Sequence, residues 1–333
     1  MLRPIPGLAA LAASLFVATA QAGDLQRTVQ ETRPADMTGS VEIVNVAGSV
    51  TVQGWDQPQV EVSGTIGAKV ERVDVTSAGN RTSVRVVLPA ATRGDEDASA
   101  WLTVRVPRRS AVDASLVSAD LEVAELAGEA HLRTVSGTVS GTLDGEAHVN
   151  TVSGDVELRA ATTRRLEIRT ISGNVNVYGA GGDVQVGTVS GDAELSLGVL
   201  EHGRFQTVSG NFGIGTTLAA KADIDAESVS GDVMLRFAAA PDAAFDLQTF
   251  SGDIDNCFGP KPAEAGYGPG TRLAFSSGSG SGQVRVDTKS GDISLCTRAP
   301  RAPRTPEPPV PPRGGKEPRP PRAPPTTAPS PAG

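Results

Sequence analysis

Aromatic residues make up only 4% of this 333-residue chain. Trp55, Trp101, Tyr178 and Tyr267 are scattered, so a glycan cleft built on stacked aromatic platforms is not supported. Long amphipathic helical periods are absent, which excludes a helical bundle. Past the N-terminal segment no stretch is apolar enough to cross a membrane as a helix. The first cysteine is Cys257, so no cysteine stands where a lipoprotein would carry its anchor. Positive charge is also short: the chain is −8 overall. No Ser-His-Asp order, nucleophile elbow or phosphate loop is present, and the sequence offers no catalytic residue.

The two ends read differently from the middle. Arg3 followed by "LAALAASLFVATA" and "AQA" has the plan of a secretory signal, residues 1–22, with cleavage expected after Ala22. Residues 23–37 read as a linker. From residue 298 to 333 the chain holds 14 of its 24 prolines and seven Arg/Lys against Glu307 and Glu317. Such a composition cannot offset its ordering entropy and is expected to be a disordered, extended tail. Taking the tail's charge of about +5 and Arg3 from the total leaves about −14 on the folded part, which argues against nucleic acid as its partner.

What is abundant is Val, Thr, Ser and Gly in a repeat. Aligned on Thr134, Thr151, Thr170, Thr188, Thr207, Ser228, Thr249 and Thr288, the unit T-V-S-G-D-V recurs at steps of 17, 19, 18, 19, 21, 21 and 39 residues. A weaker copy places Ser118 eighteen residues before Ser136. Two and four residues before each Thr stand mostly apolar side chains such as Leu132 and Ala130, with polar residues between them. After the Ser-Gly the apolar set (Val139, Val156, Val175, Ala193, Phe212, Val233, Ile254, Ile293) falls on the other parity. A one-residue change of parity in a strand marks a bulge or a corner.

The corner pairs are Ser136-Gly137, Ser153-Gly154, Ser172-Gly173, Ser190-Gly191, Ser209-Gly210, Ser230-Gly231, Ser251-Gly252 and Ser290-Gly291. The expectation is an all-β, single-chain β-solenoid of the parallel β-helix kind, with coils of about 19 residues over 111–297. Residues 38–110 alternate more loosely and are expected to form a strand-rich cap. In the long last step, "RLAFS" and "QVRVD" around "SGSGSG" read as a hairpin. Cys257 and Cys296 each lie six residues past a corner Ser, so a disulfide follows if their coils are neighbours. If residues 258–287 form a complete intervening coil, no bond forms.

Three candidate sites arise from the columns. The Asp/Asn column (Asp155, Asn174, Asp192, Asn211, Asp232, Asp253, Asp292) resembles a calcium ladder, but the double-glycine nonapeptide of calcium-binding rolls is missing, and ordinary turn bonding explains it better. His131 and His148 share an outward column, with Glu129 and Glu146 two residues before each. Two imidazoles without a convergent third ligand make a poor metal site, so no metal or cofactor is expected. A polysaccharide lyase or hydrolase would need a localised carboxylate pair, and the carboxylates sit instead in regular columns.

"GSVEIVNVAGSVTVQGW", the serial "TVSGDVEL" units and the closing "DIDNCFGP" and "LAFSSGSGSGQVRVDTKSGDISL" together resemble the bacterial putative-adhesin domain family, over nearly all of residues 38–296. The resemblance implies an exported, non-enzymatic β-solenoid of the periplasm or cell surface and supplies no catalytic or binding residue. Cys257, Cys296 and the proline-rich tail lie outside the shared pattern. The expected role is an adhesin-like binding scaffold using long polar faces, with an envelope protein or surface glycan as partner. The alternatives are a polysaccharide-active enzyme and an envelope-stress scaffold or sensor. The residues specify neither the ligand nor the oligomeric state.

Overall fold

The computed structural model describes residues 27–89, 98–264 and 270–297. The signal-like segment and the proline-rich tail lie outside the described residues. Every regular element described is a β-strand, and the strands join one mixed, solenoid-like sheet wrapped round a continuous apolar core.

One coil shows how the sequence makes the fold. Ala147–Ser153 is a strand, Gly154-Asp155 turns the corner, and Val156–Arg159 is a second strand on the opposite face. The next coil repeats this with Arg165–Ser172 and Val175–Tyr178. The two coils pair in parallel and in register, Thr151 beside Thr170, Ser153 beside Ser172, Val156 beside Val175. Identical columns therefore stack coil upon coil at about 4.8 Å. Val149, Ile168, Leu158 and Val177 are buried between the faces.

The corner is the most constrained part of each coil. The Gly amide donates to the Ser carbonyl of the next coil, as Gly173 does to Ser190 and Gly191 to Ser209, both at 3.2 Å. Gly191 has φ +130°, and a Cβ built on it would lie 2.2 Å from the Gly173 carbonyl oxygen. Both the backbone angle and the close approach demand glycine. The Asp/Asn column adds a third set of bonds. Asp155 accepts from the Asn174 amide at 2.8 Å, Asn174 from Asp192 at 3.2 Å and Asp192 from Asn211 at 2.8 Å.

Behind the corner, the Thr column is buried. The hydroxyls of Thr134, Thr151, Thr170, Thr188, Thr207 and Thr288 have no hydrogen-bond partner among the described residues. Their β-branched shape, not their polarity, is what the strand position uses. Thr249 differs, donating to the Gly291 carbonyl at 2.9 Å.

The coils do not stack in chain order at either end. Ser40–Trp55 crosses both faces and pairs in parallel with Ala111–Leu126, so it is itself a coil. Its other edge is taken by Arg81–Val87 on one face and Ala100–Pro107 on the other. A later piece of chain thus lies outside an earlier one. The C-terminal end mirrors this. Gly282–Ser290 and Ile293–Thr297 slide between the coil of residues 223–237 and the coil of residues 243–256. The corner bonds follow the inserted order, Gly231 donating to Ser290 and Gly291 to Ser251.

Two expectations need correction. Residues 27–34 are not linker: Arg27–Pro34 is an edge strand antiparallel to Gln59–Ile66. Its alternation is between exposed and half-buried positions, so it carries no apolar signal, and its charges and terminal Pro34 blunt the edge. Nor do "RLAFS" and "QVRVD" form a hairpin with each other. Thr271–Ser277 pairs antiparallel to one edge of Ala243–Ser251, and Gly282–Ser290 pairs parallel to the other edge. The coil edge of Ala243–Ser251 comes between them. Asp242 fastens the crossover, accepting from Ser279 Oγ at 2.8 Å and the Gly280 amide at 2.7 Å. The Ser279 hydroxyl first, then the amides of Ser281 and Gly280, hold the Asp242 carboxyl below the usual carboxylate range. The fastening is complete above the ordinary carboxylate pKa and is lost as pH falls through the lowered value.

Cys257 and Cys296 are disulfide-bonded with Cα atoms 4.9 Å apart. The bond joins the outermost C-terminal coil to the inserted one. Phe237, Phe245, Phe258 and Phe275 pack together at the same end, with Phe245 and Phe275 stacked at 4.7 Å.

Three substitutions separate these contributions. Gly191→Ala should cost more than about 2 kcal/mol, through strained φ and a backbone clash. Thr170→Val should be neutral or stabilising, because it removes an unpartnered buried hydroxyl. Melting curves decide both: a Thr170→Val variant weaker by more than about 1 kcal/mol would show a bonded hydroxyl. Replacing both cysteines by Ser should cost about 2–4 kcal/mol, with faster amide exchange confined to the last two coils. Uniform loss of protection along the whole stack would contradict a local brace.

Candidate binding groove

On the first face, Thr points inward, so the residues one before and one after it point outward. The residue after it is apolar in coil after coil. Val117, Val135, Val152, Ile171, Val189, Val208 and Val229 are each at least 43% exposed, and Phe250 is 58% exposed. In-register pairing sets them side by side as a ladder along the stack. Lys289, carried by the inserted coil, falls between Val229 and Phe250. The repeated Ser and Gly of the corner border this ladder, with the Ser side chains exposed.

A groove of about 890 Å³ runs over the middle of the ladder. Its apolar lining includes Ile171, Val189, Val208 and Val229, and its polar lining Asn150, Arg169, Gln206, Glu227, Asp287 and Lys289. Gly187 opens it: a Cβ there would meet nothing within 4 Å, so the hollow exists because the outward position carries no side chain. Asp225 lies on the groove wall, and burial first, then the neighbouring Glu227, pushes its carboxyl above the usual range, while Arg285 and Arg204 oppose the shift.

The exposed ladder was not singled out from the sequence, although its signal was there. A β-branched apolar residue recurring between an inward Thr and the corner Ser must lie on the outside. The Asp/Asn column does bond at the corner, but to the amide of the next coil and not within its own turn. The inserted order shows here too, Asp292 bonding to Asp232 and Asp253 to Asp292.

The two histidines are brought together more closely than their spacing alone indicates. His131 and His148 pair on neighbouring coils with rings stacked at 4.9 Å and 8°. Glu129 turns to both, its Oε1 lying 3.1 Å from His131 Nε2 and 3.8 Å from His148 Nε2. His148 Nδ1 is 3.1 Å from Glu167 Oε2, and Glu167 also pairs with Arg169. Among the described residues Glu129, His131 and His148 are the group whose ligating atoms converge closely enough to hold a metal.

No curated protein matches the chain. Among solved structures, a "putative adhesin" from Bacteroides fragilis is 12% identical, covering 81% of this chain and 97% of its own, with TM-score 0.43. A "putative lipid binding protein" from Parabacteroides distasonis is 14% identical, with coverage of 80% and 96% and TM-score 0.39. A "putative cell adhesion protein" from Clostridium sporogenes is 8% identical, with coverage of 82% and 100% and TM-score 0.21. The family model described as Toastrack DUF4097 matches residues 44–296, most of the chain, and the protein belongs to that family.

Proposed function

We propose that the protein is a non-enzymatic, exported cell-envelope scaffold that holds an extended segment of another envelope protein along its valine ladder. The single observation behind this reading is the row of exposed side chains from Val117 to Val229, opened into a groove at Gly187. Contiguous exposed apolar surface in a soluble fold marks a place where something binds. A narrow apolar strip with polar groups of both signs beside it suits a polypeptide laid along the stack. Its side chains would rest on the ladder while Arg169, Gln206, Glu227 and Asp287 meet its polar groups. A glycan is less well served, since among the described residues no aromatic side chain lines the groove.

Many weak contacts on a rigid surface give affinity without a deep pocket. The disulfide suits an oxidising compartment, as does the signal-like N-terminal segment. Among the described residues no helix is long and apolar enough to cross a membrane. The reading therefore joins an exported chain to a lateral binding surface, with solenoid coils of about 19 residues as the repeating contact unit.

Gly187→Leu should fill the groove without disturbing the backbone, and Val189→Asp with Val208→Asp should place charge on the ladder. Each variant should bind envelope preparations at least about tenfold more weakly than the parent, a loss of about 1.4 kcal/mol. Protease treatment of the envelope should abolish binding by the parent protein. Undiminished binding by folded variants would remove the groove from consideration. Binding that survives protease and disappears after glycan digestion would replace the protein partner by a glycan.

A further inference from the structure

We propose that Glu129, His131 and His148 form a surface site for one divalent transition-metal ion of the zinc class. None of its three donors lines the groove, although Arg169 lines it and also pairs with Glu167 behind the site, and the proposal does not depend on the reading given above. Three features of the structure carry it.

The first is the donor set. Two imidazoles and a carboxylate are ligands that zinc accepts, with metal–ligand distances of about 2.0–2.2 Å. Around a tetrahedral ion those bonds place donor atoms roughly 3.3 Å apart. Glu129 Oε1 lies 3.1 Å from His131 Nε2 and 3.8 Å from His148 Nε2, on either side of that spacing. All three donor atoms lie within 4.8 Å of one another.

The second is how the fold delivers them. His131 and His148 occupy the same column of adjacent coils, so the backbone sets their separation without any loop having to close. Glu129 stands two residues before His131 and reaches the same side of the strand. The imidazole rings are stacked and nearly parallel, and both are partly exposed. A modest tilt of the rings toward each other brings both Nε2 atoms onto one ion, and water completes the coordination.

The third is the support behind the ligands. Glu167 Oε2 lies 3.1 Å from His148 Nδ1. A carboxylate there accepts a hydrogen bond from Nδ1–H, holding the proton on Nδ1 and leaving the Nε2 lone pair free, which is the usual outer arrangement of a metal-bound histidine. Glu167 is itself held by Arg169. On the other side of the pair, Asp113 lies beside His131 in the parallel register and accepts from Arg133 at 2.8 Å. Carboxylates thus flank the imidazole pair at both ends of the column, which favours a cation between them.

The test is calorimetric titration of the mature protein with zinc chloride in a non-chelating buffer at pH 7.5, repeated at pH 5.5. The expected result is one saturable site per chain, weaker at the lower pH because metal binding displaces protons from its ligands. His131→Ala and His148→Ala should each abolish saturable binding. Glu167→Gln should weaken it by about 10–100-fold without removing it. His202→Ala, the remaining histidine, should bind like the parent. Zinc should also raise the melting temperature of the parent and of His202→Ala, but not of His131→Ala. These side chains lie on the surface, so circular dichroism should show each variant folded. Absence of saturable binding by the parent, or binding unchanged in folded His131→Ala, overturns the proposal.

Discussion

The structure depends on one close approach, repeated at the corners from Gly154 to Gly291, in which a glycine lies directly against the glycine carbonyl of the adjacent coil. A Cβ on Gly173, Gly191, Gly210 or Gly231 would fall 2.0–2.2 Å from the carbonyl oxygen of the corner glycine beside it. Because that contact tolerates no side chain, the corners must stack on one another, and with the corners aligned every other column aligns too. The bonds from glycine amide to serine carbonyl and from backbone amide to the neighbouring Asp/Asn side-chain oxygen then run parallel to the stack. The core needs little beyond Val, Leu, Ile and Ala, since each coil presents the same narrow interior to the next.

That alignment turns single residues into surfaces. A valine after an inward threonine is unimportant in one coil, and over successive coils it becomes an exposed apolar strip. A histidine pair separated by 17 residues becomes a stacked pair of rings. A solenoid builds its sites from columns, so a site is altered by a departure in one coil. Gly187 opens the groove and Lys289 breaks the ladder in this way. The charge pattern follows the same rule, with Asp225 raised by burial and by Glu227, which follows two residues later on the outer face.

Both ends solve the problem of an open sheet edge by the same device. The first and last coils of the chain are not outermost; each is held between two others, and antiparallel strands cover much of what remains. At the C-terminal end the disulfide and four phenylalanines reinforce the insertion. Few aromatics are needed elsewhere because the coils are narrow. Four phenylalanines gather where the antiparallel strand Thr271–Ser277 joins the last coils, and Phe205 packs against Phe212 farther along the stack.

The repeat, the corner, the inward columns and the shared column of Cys257 and Cys296 were all legible in the sequence. They depend on period and parity, which are local properties of a strand. The edge strand at residues 27–34 was not legible, because a polar edge strand has no apolar face to announce it. Which coil lies against which was decided only by the tertiary structure. Every coil offers an equivalent pairing edge, so the chain can insert its last coil out of order at no cost in register. That choice set Lys289 within the valine ladder and made Asp292, not Asp253, the neighbour of Asp232. The turn of Glu129 toward both histidines was likewise decided in three dimensions, since its place two residues before His131 sets its side of the strand but not the side-chain direction that carries Oε1 to both imidazoles.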